Sequence, residues 1–204
     1  MGRIRQAAPA DLERLYEICV RTADAGEDAT SLHHDPMLPG HVWAAPYLVH
    51  EPEHAFVVVD DGDLAGGYVI GALDSRRFEA TLAQAWWPAL RERYPLGRDG
   101  RTPADEETVR LIHHPPTAVD EVLAAGYPSH LHIDLLPDLQ GAGWGRRLID
   151  TLLDSLASAG SPGVHLGVSA RNERAIGFYR AVGFRELGRS RTGTAFGRRL
   201  TPLR

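Results

Sequence analysis

Three glycines separated by single residues, Gly141, Gly143 and Gly145, stand between a predicted strand and a predicted helix. Glycine accepts positive φ angles and lets a ligand approach the backbone closely. The first turn of a helix leaves backbone N–H groups unpaired and carries partial positive charge. Arg146 and Arg147 add two full positive charges beside that turn. These residues therefore predict a cradle for a phosphate or pyrophosphate group.

Two common phosphate-binding motifs do not describe this loop. A P-loop requires Gly-Lys followed by Ser or Thr, and that run is absent. A dinucleotide-binding loop requires G-x-G-x-x-G and an acidic residue about 20 residues further on. The glycines here have another spacing, and the predicted strand at 164–168 holds no acidic residue. A nucleotide-binding enzyme is therefore disfavoured.

The strands that position this loop follow from the hydrophobic pattern. Runs of β-branched and apolar residues predict strands at 4–6, 55–59, 64–73, 130–136, 164–168, 186–190 and 195–200. Asp-Gly between the second and third runs predicts a hairpin. Gly66-Gly67 within the third run predicts a bulge or a close approach of another backbone. Strands alternate with helices, which indicates an α/β sheet with helices on both faces.

Apolar residues at helical spacing predict the helices. One helix starts at Pro9, and further helices are predicted at 42–49, 146–159 and 173–182. Another covers 78–94, with a kink at Pro88. Two more begin after threonine caps: one starts at Pro103 after Thr102, and one runs from Thr117 to about Ala125. Residues 25–41 are predicted to form a loop. Asp105 in place of Glu or Gln predicts an imperfect capping box. We expect one domain over 1–204, with a helical insertion at about 78–128 that is well placed to shape a groove beside the predicted strand at 130–136.

Composition excludes several classes of protein. The 204 residues include 43% apolar residues and carry a formal net charge of −5, which argues against disorder and against a basic nucleic-acid-binding surface. Cys19 is the single cysteine, so neither an intramolecular disulfide nor a thiolate metal site is expected. His33-His34-Asp35 and His113-His114 lack a third ligand at helical spacing, so we expect no metal. Without a signal peptide or an apolar span, we expect a cytoplasmic protein that does not contact a membrane.

The loop and its flanks resemble a known family. Gln140-x-x-Gly143-x-Gly145 follows the apolar strand exit Leu135-Leu136-Pro137 and precedes a helix. This arrangement resembles the signature of the GNAT acetyltransferase superfamily. The resemblance implies a mixed, mostly antiparallel central sheet with helices on both faces and a bulge that splays one strand from the next. It also implies that backbone groups of Leu135 and its neighbours pair with the pantetheine arm of acetyl-CoA.

A second motif downstream strengthens this resemblance. Residues 164–184 resemble the family's strand, asparagine and short helix with Phe-Tyr, followed by Gly183-Phe184. The resemblance implies that Asn172 bonds the pantetheine arm and that Tyr179 protonates the departing thiolate. Phe178 is a coenzyme neighbour or a core residue. The full set of coenzyme-binding residues implied is Leu135, Leu136, Pro137, Gln140, Gly141, Ala142, Gly143, Trp144, Gly145, Arg146, Arg147, Asn172, Phe178 and Tyr179.

The general base is less defined than the coenzyme site. Transfer to an amine requires a neutral amine, so a base or a water chain has to remove a proton. His130, His132 and Asp134 alternate along one strand and therefore share a face, while Leu135 has the opposite parity. Asp134 and His132 are joint candidates for the base. The alternatives are that the histidines pack locally and that Asp134 orients one of them or caps a loop.

These motifs together imply an acetyl-CoA-dependent N-acetyltransferase that transfers the acetyl group directly to an amine. Within the superfamily the chain resembles the bacterial acetyltransferases related to the C-terminal domain of O-GlcNAcases. A non-catalytic acetyl-CoA-binding or regulatory module is the alternative, because the base is undecided. The acceptor, a small molecule or a protein lysine, and the oligomeric state do not follow from the sequence.

Overall fold

A computed structural model describes residues 2–201 of the chain. Its strands form one seven-stranded sheet in the order β1-β2-β3-β4-β5-β7-β6. The strands are β1 Arg3–Gln6, β2 Ala55–Val59, β3 Ala65–Ala72, β4 Ser129–Leu135, β5 Gly163–Ser169, β6 Arg185–Arg189 and β7 Gly193–Arg199. Only β4 and β5 pair in parallel, and every other neighbouring pair is antiparallel. The mostly antiparallel α/β fold predicted from the sequence is confirmed.

Helices cover both faces of this sheet. They are α1 Leu12–Val20, α2 Leu38–Trp43, α3 Ala45–His50, α4 Ser75–Ala85, α5 Trp87–Arg93, α6 Pro103–His113, α7 Asp120–Ala124, α8 Trp144–Ser158 and α9 Glu173–Ala181. None of the helices within residues 2–201 is long and apolar enough to cross a membrane.

Two apolar clusters hold the helices to the sheet. On one face, residues of α1 to α6 and alternate residues of β2 and β3 form one cluster, in which Leu15, Ile18 and Ile112 are fully buried. On the other face, α8 buries Leu148 and Leu152 against the sheet. Burying one such side chain contributes roughly 1.5–3 kcal/mol. The apolar stripe that predicted α8 is therefore the stripe that fastens it to the sheet.

The helices before β2 differ from the prediction. Residues 25–41 were expected to form a loop, but α2 begins at Leu38 within that range, and α3 covers most of the predicted helix at 42–49. Pro39 and Pro46 lie in the first turns of α2 and α3. A proline in a first turn lacks only an N–H group that would stay unpaired there, so each proline starts a helix. The predicted loop is therefore wrong at its end, from Leu38 onward, while residues 25–37 contain no α-helix or strand.

Between β3 and β4 the chain forms α4 to α7. Residues 78–94 divide at Trp86, and Pro88 lies in the first turn of α5, so proline starts a new helix rather than kinking one. The Thr102 cap of α6 is confirmed, and its capping box with Asp105 is complete despite the shorter carboxylate. The expected Thr117 cap is wrong, because α7 begins at Asp120 after Val119, which offers no capping side chain.

Gly66 and Gly67 have the role that their position predicted. The register of β2 and β3 shifts between Val58 and Val59, so that Gly66 is the extra residue of a bulge. A Cβ atom on Gly67 would lie 2.9 Å from the backbone oxygen of Asp134 in β4. Only glycine therefore lets β3 approach the strand that carries the candidate base.

Candidate active site

Strands β4 and β5 separate soon after they begin to pair. Their register includes only Ser129 and His130 of β4, whereas β4 stays paired with β3 up to Leu135. The Leu136 N–H donates to the Gly66 carbonyl of β3 at 2.9 Å. Successive residues of a strand direct their backbone groups to opposite sides, so Leu135 directs its N–H and C=O into the gap. This is the splayed strand that the resemblance implied.

A cavity of about 380 Å³ fills the gap. Residues of both sequence motifs line it together, although they are up to 45 positions apart. The predicted residues on its walls are Asp134, Leu135, Gln140, Gly141, Gly143, Gly145, Arg146, Asn172, Phe178 and Tyr179. The two motifs thus converge on one site.

The glycine loop leaves its backbone accessible. Gly141 and Gly143 have φ angles of 75° and 82°, and no atom approaches their Cβ positions within 4 Å. Gly143 is the N-cap residue of α8 and offers no side chain to the first turn of that helix. Gly145 lies against Phe178, whose ring would be 3.2 Å from an added Cβ. The open N–H groups at the start of α8 fit a phosphate ligand.

Five predicted coenzyme residues lie outside the cavity walls. Leu136 is buried in the cluster that α1 to α6 form, and Trp144 packs against the cluster under α8. The Arg147 guanidinium lies 4.8 Å from the centroid of the Trp144 ring. Pro137 and Ala142 are exposed on the loop. Their predicted contacts with coenzyme remain predictions.

Asn172 and Tyr179 are fixed by helix α9. The Asn172 side chain accepts a hydrogen bond of 2.9 Å from the Ala175 N–H and so caps the helix. Tyr179 lies two turns further on and is only 7% exposed. Burial and the nearby charge of Asp134 raise the pKa of the Tyr179 phenol above its usual value. Tyr179 therefore keeps its proton at neutral pH and has one O–H to donate.

Asp134 is the candidate base on the cavity wall. Its Oδ2 accepts a hydrogen bond of 2.5 Å from the hydroxyl of Tyr68 in β3. Burial raises the pKa of Asp134 to about 6, and the Tyr68 bond partly opposes that rise. A carboxylate with this pKa is mostly ionised at pH 7 and accepts protons more readily than an ordinary Asp.

Comparisons with known proteins identify the family to which this chain belongs. The model of the acetyltransferase (GNAT) family matches residues 108–184. The crystal structure of SsHAT has a TM-score of 0.88 and 42% sequence identity to this chain, covering 97% of this chain and 98% of that one. The chain belongs to the GNAT acetyltransferase family.

Two curated relatives add detail to this GNAT assignment. Protein O-GlcNAcase of Rattus norvegicus is 25% identical over 187 residues, which are 91% of this chain and 20% of the relative. The chain thus spans about a fifth of that relative's length. Peptidyl-lysine N-acetyltransferase YjaB of Escherichia coli K12 is 40% identical over 62 residues, which are 29% of this chain and 39% of that protein. The weak homology to O-GlcNAcase agrees with the subgroup that the sequence resembled.

In this GNAT protein, His130 and His132 of β4 belong to a hydrogen-bond network that lies away from the cavity wall. Tyr47 Oη lies 2.8 Å from His130 Nε2 and 3.0 Å from His132 Nε2. Ser75 Oγ lies 2.7 Å from both His130 Nδ1 and the Pro128 carbonyl. Burial lowers the pKa of His132 to about 4 and that of His130 well below its usual value, so both rings are neutral at pH 7.

The donors and acceptors of this hydrogen-bond network follow from the Pro128 carbonyl at one end of it. A carbonyl only accepts, so the Ser75 hydroxyl donates to Pro128 and accepts from His130 Nδ1–H. His130 Nε2 then accepts from Tyr47, and Tyr47 accepts from His132 Nε2–H. This assignment of donors and acceptors leaves Nδ1 of His132 unprotonated. The histidines therefore do pack locally, and His132 keeps an unprotonated Nδ1 although burial lowers the pKa of the ring to about 4.

The other histidine clusters of the GNAT chain are structural. His33 Nδ1 bonds Asp105 at 2.9 Å, and His34 Nδ1 lies 3.2 Å from the Gly100 carbonyl. His113 Nε2 bonds the Tyr94 carbonyl at 2.9 Å. In the described part of the chain, no group of three or more His, Cys, Asp or Glu side chains is arranged to hold a metal ion.

Eight residues of the cavity wall were not among the predicted site residues: Thr22, Gly26, Ile133, Leu139, Arg174, Ala175, Ala181 and Val182. Thr22 and Gly26 follow α1, and Arg174 lies in the first turn of α9. Gly26 belongs to the range 25–41 that was predicted to form a loop, and only tertiary packing brings residues 22 and 26 to the cavity wall. Among the described side chains of the insertion at 78–128, none lines the cavity, so they do not shape this part of the site.

Proposed function

We propose that this protein transfers the acetyl group of acetyl-CoA directly to an amine, with Asp134 as the base and Tyr179 as the acid. The observation that carries the proposal is the shared cavity. Asp134 from β4 and Tyr179 from α9 line it together with the glycine loop and the splayed edge of β4. Family membership supports the acetyl donor, because the chain is a GNAT acetyltransferase.

The residues present fit acetyl-CoA along the length of the cavity. The open N–H groups after Gly141 and Gly143 would hold the pyrophosphate, assisted by the charge of Arg146. The backbone groups of Ile133 and Leu135 face the gap and would pair with the amides of the pantetheine arm, as an added strand does. Bound there, acetyl-CoA supplies an activated acyl group as a thioester. The chain supplies binding, orientation and proton transfer.

Asp134 would take the proton that the amine has to lose. The attacking nitrogen forms a bond to the acetyl carbon while the carbon–sulfur bond breaks. Asp134, with a pKa raised to about 6 by burial, is ionised at neutral pH and accepts the proton from nitrogen. His132 Nδ1 is a weaker candidate, because His132 lies outside the cavity wall while Asp134 forms part of it.

Tyr179 would deliver a proton to the departing sulfur. Its raised pKa keeps the phenol protonated, and the negative charge of Asp134 contributes to that rise. When Asp134 accepts the amine proton, this charge disappears and the Tyr179 phenol becomes more acidic. The two proton transfers therefore assist each other electrostatically.

The acceptor would be a cationic amine. Residues 1–140 hold 11 arginines and 23 carboxylates, a formal charge of −12, whereas residues 141–204 hold 11 arginines and 4 carboxylates, a formal charge of +7. The basic part contains the coenzyme loop and suits an anionic coenzyme. The acidic part contains Asp134 and would attract a cation. The similarity to YjaB, named for peptidyl-lysine, supports lysine as one acceptor to test.

Binding and turnover separate this proposal from a non-catalytic module. Isothermal titration with acetyl-CoA is expected to show binding, and no heat at millimolar coenzyme would contradict the proposal. Free thiol is then followed with a panel of small amines, amino sugars and lysine peptides. Thiol release with any of them supports transfer. Binding without release over the whole panel favours the module.

A further inference from the structure

Residues 24–27 form a tight turn at the rim of the cavity. The Asp24 N–H donates to the Glu27 carbonyl at 3.1 Å, and the Glu27 N–H donates back to the Asp24 carbonyl at 3.0 Å. Ala25 and Gly26 have φ angles of 53° and 95°, the signs found at both central residues of a type I′ turn. A left-handed alanine is strained, so surrounding contacts have to hold the turn in place.

Contacts from the segment before and within α9 hold this turn. The Arg171 guanidinium bonds the Asp24 carboxylate at 2.5 Å. Gly26 fits so closely against α9 that an added Cβ would lie 3.1 Å from Asn172 Nδ2 and 3.2 Å from the Arg174 guanidinium. Gly26 and Asn172 both line the cavity. The turn therefore crosses from the α1 side of the gap to the α9 side.

Arg174 joins this turn to the opposite wall. One guanidinium nitrogen donates to the Gly26 carbonyl at 3.5 Å, and the other donates to Gln140 Oε1. The Gln140 amide in turn donates to the Leu135 carbonyl at 2.8 Å. One cation thus links the turn, the helix α9 and the edge of β4. Both of its partners are neutral oxygens, which bind a guanidinium less strongly than a carboxylate does.

We propose that the turn 24–27 is a strap over the coenzyme channel and that Arg174 fastens it to the Gln140 wall, beside the Arg171–Asp24 ion pair that ties the turn to the segment before α9. The proposal rests on the proposed function, because it takes acetyl-CoA as the occupant of the channel. Loading requires Gln140 to release the Leu135 carbonyl, the group that faces the gap. Arg174 is bonded to the same Gln140 side chain, so the strap opens while the coenzyme enters or leaves and is closed in both the empty and the loaded state.

Association and dissociation rates distinguish a strap from a direct phosphate ligand. A strap slows entry and exit alike, so loosening it accelerates both. A phosphate ligand stabilises only the bound state, so weakening it accelerates exit alone. Arg174→Lys keeps the charge and removes the rigid fork that reaches two acceptors at once. Its matched control is Arg180→Lys, on the same helix, where Arg180 pairs with Glu186 away from the cavity.

Stopped-flow binding of acetyl-CoA to the full chain gives both rates. Arg174→Lys is expected to raise the association and dissociation rates by about fivefold each, with the Kd within about twofold of wild type. Arg180→Lys is expected to keep the wild-type rates. A faster dissociation at an unchanged association rate would overturn the strap in favour of a phosphate contact. Unchanged rates in Arg174→Lys would overturn it as well.

Amide hydrogen exchange tests the strap without coenzyme. Residues 23–28 are expected to exchange faster in Arg174→Lys than in wild type, while α8 is expected to exchange at the same rate in both. Equal exchange at residues 23–28 would show that Arg174 does not fasten the turn. If wild type failed to bind acetyl-CoA, the proposed function and the occupant of the channel would both be wrong. Faster exchange would then still identify the turn as held by Arg174.

Discussion

The hydroxyl of Tyr68 donates a hydrogen bond of 2.5 Å to Asp134, its direct partner in the register of β3 and β4. This bond stabilises the carboxylate and holds down a pKa that burial raises to about 6. Catalysis by the carboxylate is expected to fall as the pH decreases through this pKa, because protonated Asp134 cannot accept the amine proton. Tyr68 is therefore expected to set the lower pH limit of activity.

Replacing Tyr68 by phenylalanine tests this role. Tyr68→Phe removes the donor, so the pKa of Asp134 is expected to rise further and the acid limb of kcat/KM to move up by about one pH unit. The profiles of variant and wild type should converge at higher pH. Tyr16→Phe is the control, because Tyr16 is also buried and bonds His41 at 2.7 Å, away from the cavity. An unmoved acid limb in Tyr68→Phe would exclude Asp134 as the titrating group.

Tyr179→Phe separates proton donation from binding. The ring stays in place, so the Kd for acetyl-CoA should remain within about twofold, while kcat falls by at least about tenfold from the loss of the acid. The phenol of Tyr127 is buried and does not line the cavity, so Tyr127→Phe should keep the wild-type kcat. A Tyr179→Phe variant with full kcat would show that another group protonates the thiolate.

The hydrogen-bond network predicts opposite tautomers for His130 and His132. Imidazole ¹⁵N shifts at pH 7 are expected to show Nδ1–H for His130 and Nε2–H for His132. His165 supplies an internal reference, because its Nδ1 lies 2.8 Å from the Tyr127 carbonyl and has to carry a proton. An Nδ1–H tautomer at His132 would exchange the donors and acceptors of this network, and Nδ1 of His132 would then carry a proton.

The packing of α8 against the sheet predicts that truncating one buried side chain causes a large loss of stability. Leu152 is fully buried, and its methyl groups lie 3.2–3.3 Å from the Cβ position of Gly71. Leu152→Ala is expected to lower the free energy of unfolding by about 2–5 kcal/mol. Leu64 is 55% exposed, so Leu64→Ala is expected to change it by less than about 0.5 kcal/mol. Urea denaturation of both variants makes the comparison, and similar losses would contradict the assigned core.

The sequence predicted those parts of the site that depend on local signals. The glycine loop and the first turn of α8 need only a glycine spacing and an apolar stripe. Asn172 and Tyr179 need only a short motif. The alternation of His130, His132 and Asp134 placed them on one face correctly, because the period of a strand is fixed at two.

The remaining parts depend on contacts between distant segments. Tyr68 partners Asp134 across 66 positions, and Gly26 reaches α9 across 148 positions. No pattern in one sequence records such a pairing. The two candidate bases were inseparable for the same reason, since the cavity that reaches Asp134 is formed by α9 and the turn 24–27. The start of α2 was missed because Pro39 can indicate either a loop or a helix start.

The most direct test of the account is amide formation by wild type and by Asp134→Asn with acetyl-CoA and lysine-containing peptides or small amines. The chain contains no lysine, so acetyl-lysine detected by mass spectrometry comes from the added acceptor. We expect acetylated amine with wild type and a rate at least about 100-fold lower with Asp134→Asn, while His132→Gln loses less than about tenfold. Acetyl-CoA binding without amide formation, or an Asp134→Asn variant with the wild-type rate, would contradict the account.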